Sequence, residues 1–224
     1  MKNKNKTVTL IDKSKKYTFN AALDILKKNS KKKFEESIEV SMQFNIIPKK
    51  NIIIKGYSSL KNNIGKNNKI AIFSNNIDEY INFNNVVILN DEILKNLSKK
   101  NINFDIILTT PDNVVKFTKL GKLINGKKIM PDVKYGTVTT DILGSLTKLA
   151  NNYIKYKIDK NYCINLLLGK ISLTNNELKE NIEQLILDIK KQKPQNCKSI
   201  SLKNIYISST MGCGIKVDLD SINC

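Results

Sequence analysis

Ser37-Ile38-Glu39-Val40-Ser41-Met42-Gln43-Phe44 alternates strictly between polar and apolar residues. Successive side chains of an extended chain point to opposite faces, so Ile38, Val40, Met42 and Phe44 share one face while Ser37, Glu39, Ser41 and Gln43 share the other. The stretch predicts a strand with one side on a core and one in water, as antiparallel sheets provide. Upstream, Thr18 precedes Phe19, Ala21, Ala22, Leu23, Ile25 and Leu26, which predicts a helix capped by Thr18. It ends in the lysine-rich run 27–33, where cations complement the helix dipole. Residues 1–16 form a basic arm or a loosely held helix. Downstream, residues 51–55 read as a second strand stopping at Gly56, and the polar residues 57–68 as a long loop or linker.

The pattern then changes. Residues 70–73, 86–89 and 104–108 are short continuous apolar runs, with helical stretches near 91–99 and 112–123. Apolar strands alternating with helices predict a parallel sheet covered on both faces, an α/β unit over roughly 67–158. Strand patterns return at 153–158 and 163–168. Leu178, Ile182, Leu185, Ile186 and Ile189 then follow helical spacing, with Asn176 as the expected cap and Pro194 as the stop. Residues 200–208 read as a last long strand leading into Met211-Gly212-Cys213-Gly214.

The 224 residues carry a formal charge of +18, and all 38 basic residues are lysine. At 41% hydrophobic the chain can bury an ordinary core. Inflation of Lys, Asn and Ile by a biased genome accounts for part of the charge, but not for the scarcity of Asp and Glu. Such a field attracts polyanions. Lysine binds phosphate as a point charge and lacks the planar fork that reads guanine edges, which favours recognition of backbone and shape over base readout. Residues 1–66 hold sixteen Lys against five acids, residues 67–158 thirteen against eight, and residues 159–224 nine against seven. The basic excess therefore sits at the N-terminal end, the expected place of the main polyanion contact.

Other functions lose their usual carriers. There is no His, which removes the common general base near neutral pH and the common metal ligand. The four cysteines, Cys163, Cys197, Cys213 and Cys224, form no C-x-x-C pair and read as free thiols. Residues 121–128, G-K-L-I-N-G-K-K, approach a phosphate-binding loop, but Lys128 stands where a magnesium-binding hydroxyl belongs. Glu35, Glu36 and Glu39 could supply paired carboxylates, yet an exposed strand edge balancing nearby lysines is the simpler reading. The apolar stretch near the N-terminus is too short for a signal core or a membrane span, so a soluble intracellular protein is expected.

Three stretches resemble one family. Lys33-Phe34-Glu35-Glu36-Ser37-Ile38-Glu39-Val40 is similar to its K-F-x-E-S-[VI]-[DE]-V strand. Leu120-Gly121, Ile129-Met130-Pro131 and Lys134-Tyr135-Gly136-Thr137-Val138-Thr139 resemble its L-G…L-M-P…K-x-G-T-V-T signature. Ser208-Ser209-Thr210-Met211-Gly212 is close to its S-T-T-M-G. Asp159-Lys160 and Gly169-Lys170 fall at matching places. The family is that of the large-subunit ribosomal protein of the mobile stalk beside the tRNA exit site, the L-one family, and the likeness spans roughly residues 16–218.

The resemblance implies a two-domain α/β protein. One domain, 1–66 with 159–224, is a discontinuous antiparallel sheet with helices. The other, 67–158, is an inserted Rossmann-like parallel-sheet domain. It further implies a structural, non-enzymatic constituent of a cytoplasmic ribosome (an organellar one is the alternative), monomeric there, without cofactor or membrane contact. Its implied partners are stalk rRNA, exit-site tRNA and its own mRNA. Carried over by position, the RNA-contacting set is Lys33, Phe34, Glu39, Asp159, Lys170, Thr210, Met211 and Gly212. Lys33 and Lys170 would neutralise phosphates. Glu39 and Asp159 would accept ribose 2′-hydroxyls. Thr210 offers a hydroxyl, Gly212 a close backbone approach, and Phe34 and Met211 apolar contact. Two places depart from the family. Its L-P-H-G-T-G becomes Leu60-Lys61-Asn62-Asn63-Ile64-Gly65, and its G-P-R-G becomes Asn125-Gly126-Lys127-Lys128. Two rival readings remain: an enzyme on phosphorylated substrates built on residues 121–128, and a generic nucleic-acid coating protein.

Overall fold

In the computed structural model, the described residues are 12, 15–30, 33–47, 54–65, 68–74, 86–90, 93–94, 103–119, 129–150, 152–193, 197 and 199–222. Most of the basic arm, residues 51–53 of the expected second strand, the loop at 121–128, most of the expected helix at 91–99, Pro194 and Cys224 lie outside them. Two compact units emerge: residues 1–65 with 154–224, and residues 66–153.

In the first unit the alternation of the opening stretch is realised over eleven residues. Strand β1 (Ser37–Ile47) buries Ile38, Val40, Met42, Phe44 and Ile46 and turns the intervening residues outward. It lies inside a four-stranded antiparallel sheet of order β7-β1-β8-β9, with β7 at Cys163–Lys170, β8 at Ser199–Ser209 and β9 at Ile215–Val217. Helices α1 (Phe19–Asn29) and α4 (Asn175–Lys191) pack against this sheet and against each other. They bring Phe19, Ala22, Leu23 and Leu26 from one side, and Leu178, Ile182, Leu185, Ile186 and Ile189 from the other, into one core with the inner face of β1. Each of the larger side chains stabilises by roughly 2 kcal/mol on burial, and Ala22 by less. The chain ends meet here: the Tyr17 amide donates to the Lys216 carbonyl at 3.0 Å, and the Asp218 amide to the Tyr17 carbonyl at 2.8 Å.

Helix starts are settled by side chains. Thr18 is the N-cap of α1 as expected, but its hydroxyl makes no capping bond; the Phe19 amide donates instead to Ser221 Oγ at 3.1 Å. The cap of α4 is Thr174, not Asn176. Thr174 Oγ1 accepts from the Glu177 amide, and Glu177 Oε2 accepts from the Thr174 amide at 2.7 Å. A capping box needs Glu three residues past the cap, which Thr174 has and Asn176 lacks.

Residues 51–53 of the expected second strand lie outside the described residues. The described strand β2 is Lys55–Ser59, so part of the expected linker is sheet, paired with β6 (Tyr153–Lys157). Its buried positions are Gly56 and Ser58, which carry no hydrophobic signal. Gly56 leaves room for Gln192: a Cβ there would collide with Gln192 Oε1, which accepts from Tyr57 N (3.2 Å) and Tyr156 Oη (2.8 Å). Ser58 Oγ donates to Asp188 at 2.6 Å. Because β6 pairs with β2, the chain rejoins the terminal unit at Ile154, a few residues before the expected junction at 158/159.

In the second unit the short apolar runs form a parallel sheet of order β4-β3-β5, with β3 at Ile70–Phe73, β4 at Val86–Ile88 and β5 at Ile106–Thr109. Every residue of β3 is buried, as is every residue of β5, the result of cover on both faces. Helix α2 (Val114–Lys119) follows a 3₁₀ turn at Pro111–Asn113 and sets Phe117 edge-on to Phe73 at 5.4 Å. Helix α3 (Ile142–Ala150) was not anticipated, although Ile142, Leu146 and Leu149 bury one face at helical spacing. The mixed α/β class with an antiparallel and a separate parallel sheet is borne out.

Candidate nucleic-acid interface

The register of the large sheet decides which candidate residues meet. Ser37 opens β1 opposite Lys170, the last residue of β7, and Ile38 lies opposite Ser209, the last residue of β8. Three strand ends thus share one edge. The chain leaving β8 is stitched to β1: Thr210 N donates to Ser37 O at 3.1 Å, and Ser37 N donates to Thr210 Oγ1 at 3.0 Å. The Thr210 hydroxyl also lies 3.3 Å from Ser37 O, so it works within the protein, joining segments 173 residues apart. Gly212 N donates to Ser209 O at 3.0 Å, closing a tight turn. A Cβ on Gly212 would strike Ser209 Oγ, so a larger residue there would require the serine hydroxyl to move.

That turn leaves Met211 at its tip, 63% exposed. Phe34, three residues before Ser37, is 52% exposed, an unusual position for a large aromatic ring. Both residues lie close along the chain to the Ser37–Thr210 junction, Phe34 three residues before Ser37 and Met211 next to Thr210. Lys33 is exposed beside Phe34, Lys170 is half-buried, and neither is ion-paired among the described residues. Glu39 points outward between Ser208 and Leu167. Seven of the eight candidates (Lys33, Phe34, Glu39, Lys170, Thr210, Met211 and Gly212) gather at this end of the sheet.

Asp159 does not join them. It starts the turn before β7, where its amide donates to Cys163 O at 3.0 Å and its carbonyl accepts from Tyr162 N at 2.9 Å. Cys163 pairs with Gln43, at the far end from Lys170. At roughly 3.3 Å per residue the length of β7 puts Asp159 about 20 Å from the cluster. Between the two ends runs the outer face of the sheet, carrying Ser41, Gln43, Asn165, Asn204 and Tyr206. Asn204 Nδ2 donates to Gln43 Oε1 at 2.9 Å, and Tyr206 stands between Ser41 and Lys216. Strand alternation around Ile205 and Ile207 was the signal for an outward Tyr206.

The acidic cluster divides. Glu35 and Glu39 are exposed, but β1 is an inner strand and not the expected edge, and Glu36 is only 1% exposed. Glu36 shares the inward parity of Ile38, its carbonyl accepts from Ile171 N at 3.0 Å, and its Oε2 has no hydrogen-bond partner among the described residues. The arrangement offers exposed apolar tips, ammonium groups and close backbone approach on one rim. Among the described residues no cluster of His, Cys, Asp or Glu could hold a metal ion, and no helix is long and apolar enough to cross a membrane.

Residues 26–213 match the model of the Ribosomal protein L1p/L10e family. The chain is 36% identical over 216 residues to the large ribosomal subunit protein uL1 of Francisella philomiragia, covering 95% of this chain and 94% of that protein. It is 35% identical over the same length to the protein of that name from Francisella tularensis subsp. novicida, again with 95% and 94% covered.

Proposed function

Because this chain belongs to the Ribosomal protein L1p/L10e family, whose members are structural, non-enzymatic constituents of the large ribosomal subunit, we propose that its terminal unit binds the stalk region of large-subunit rRNA. The observation that carries this reading is the rim where Phe34, Met211, Lys33 and Lys170 surround the Ser37–Thr210 junction. Lys33 and Lys170 neutralise phosphates, Phe34 and Met211 cover sugar or base edges, and Gly212 admits the RNA backbone. Glu39 accepts a 2′-hydroxyl, a donor that DNA lacks. Thr210 acts chiefly by shaping the rim, since its hydroxyl is engaged with Ser37. Asp159 makes a second contact about 20 Å along the sheet, a span that an RNA helix covers within one turn.

The inserted unit serves the finer role in translation, assisting release of deacylated tRNA from the exit site as the stalk moves. Binding to a mimic of the rRNA site in its own mRNA is the corresponding route to translational repression. Both readings rest on the family resemblance. The place of work is the large subunit of a cytoplasmic ribosome.

Filter binding of the full chain to a stalk rRNA fragment tests the proposal. Tight binding is expected, with log affinity falling linearly against log salt. Equal affinity for the stalk fragment and a random duplex of the same length would leave only a generic coating protein.

A further inference from the structure

Asn181 is fully buried in α4, on the apolar stripe that carries Leu178, Ile182 and Leu185. A buried amide is costly unless its groups are bonded. Here they are bonded to two separate segments. Asn181 Oδ1 accepts from Asn62 N at 2.9 Å, and Nδ2 donates to Leu168 O at 3.0 Å and to Asn62 O at 3.4 Å. One amide thus fastens residues 60–65 to the strand that ends in Lys170. Asn62 returns the grip: its Nδ2 donates to Glu177 O at 3.0 Å and to Glu180 Oε2 at 3.2 Å. Leu60 and Ile64 are buried on either side, and Asn63 Oδ1 accepts from Gly65 N at 2.9 Å.

The end product of this fastening is the position of Gly65. Its φ of +71° suits glycine, and its bare α-carbon forms a bed for the Lys170 side chain. A Cβ there would lie 3.0 Å from Lys170 Cγ, 3.2 Å from Cε and 3.7 Å from Cδ, so the stem of the lysine runs along this glycine. A lysine stem loses much rotamer freedom when laid against a fixed surface, and its ammonium is then presented in one place.

We propose that the interlocked amides Asn62 and Asn181 position Lys170 for RNA binding, with Gly65 as the bed between them. This rests on the RNA-binding reading above. The two amides touch no RNA; they set where a phosphate contact stands and remove part of the ordering cost of making it.

The test uses the full chain and the stalk rRNA fragment, with salt titrations and thermal unfolding of every variant. Lys170→Ala should weaken binding about tenfold and lower the salt slope by about one, as loss of one phosphate contact does. Gly65→Ala and Asn62→Ala should each weaken binding about three- to fivefold with a smaller slope, and should add almost nothing in the Lys170→Ala background. Asn181→Asp buries a charge and endangers the fold itself, so Asn62→Ala carries the amide arm of the test: it drops the two side-chain bonds to Glu177 and Glu180 and keeps the backbone bonds to Asn181. Wild-type affinity and slope in Gly65→Ala and Asn62→Ala overturn the inference, as does an equal loss with and without Lys170. If the wild-type chain prefers the stalk fragment and Lys170→Ala binds like it, the positioning inference alone falls. If the wild-type chain shows no preference, the RNA-site reading falls and takes this inference with it.

Discussion

Removing both apolar tips of the rim, Phe34→Ala with Met211→Ala, separates shape recognition from charge. Full burial of such a side chain stabilises by about 1.5–3 kcal/mol. Phe34 is already 48% covered and Met211 37%, leaving 52% and 63% of their surfaces for a partner. RNA covering that remainder gains roughly 1 kcal/mol at each residue, or about a fivefold change in affinity apiece. The double variant should therefore bind the stalk fragment about 30-fold more weakly if the two losses add. Neither residue is charged, so the salt slope should stay unchanged while the whole line shifts down. Both are exposed, so unfolding free energy should stay within about 0.5 kcal/mol of wild type. Filter binding at four salt concentrations, with denaturant unfolding alongside, reads all three quantities. Affinity within twofold of wild type would refute the assignment of these tips to the interface, and so would a matching loss from changing Lys2 in the N-terminal arm.

Three further outcomes concern the scaffold. Thr174→Ala should destabilise the terminal unit by about 1 kcal/mol in urea unfolding, through loss of the capping box. Backbone and side-chain hydrogen bonds from Thr174 hold the Glu177 carboxyl below its ordinary value of 4.5, so this contribution is complete above that pH and is lost as pH falls through the depressed value. Unfolding midpoints measured down an acid series should show that loss in wild type and a smaller one in Thr174→Ala. Burial, with the nearby Asp188 charge second, raises the Tyr156 hydroxyl well above the usual phenol range. Its contribution is thus complete below about pH 10, the unfolded value, and declines as alkali carries the pH towards the raised folded value. Tyr156→Phe should cost about 1 kcal/mol at neutral pH and flatten that alkaline decline. Met42→Ala, at a fully buried position in the centre of β1, should cost about 2–5 kcal/mol, and an unchanged urea midpoint would contradict the packing described.

Most elements were legible because their periodicity is local. The alternation from Ser37 to Phe44 gave β1 and its inward face, and Leu178, Ile182, Leu185 and Ile189 gave α4. The run of β2 from Gly56 to Ser59 was not legible because Gly56 and Ser58, its buried residues, fit Gln192 and Asp188 at the end of a helix about 130 residues later. Glu36 is different: its parity with Ile38 is a local signal for the inner face, which its charge masked.

By itself, then, the amino-acid order determined the two kinds of sheet, the lysine-borne charge, and through its motifs the family and the residues at stake. Tertiary structure alone decided that seven of those residues share one rim while Asp159 stands at the other end, that the Thr210 hydroxyl is bonded to Ser37, and that Asn181 grips the segment beneath Lys170. The physical reason is the reach of each signal. Hydrophobic period is set by neighbours two to four residues away, whereas register and hydrogen bonding between strand ends join groups as far apart as 173 residues, and no local window contains both partners.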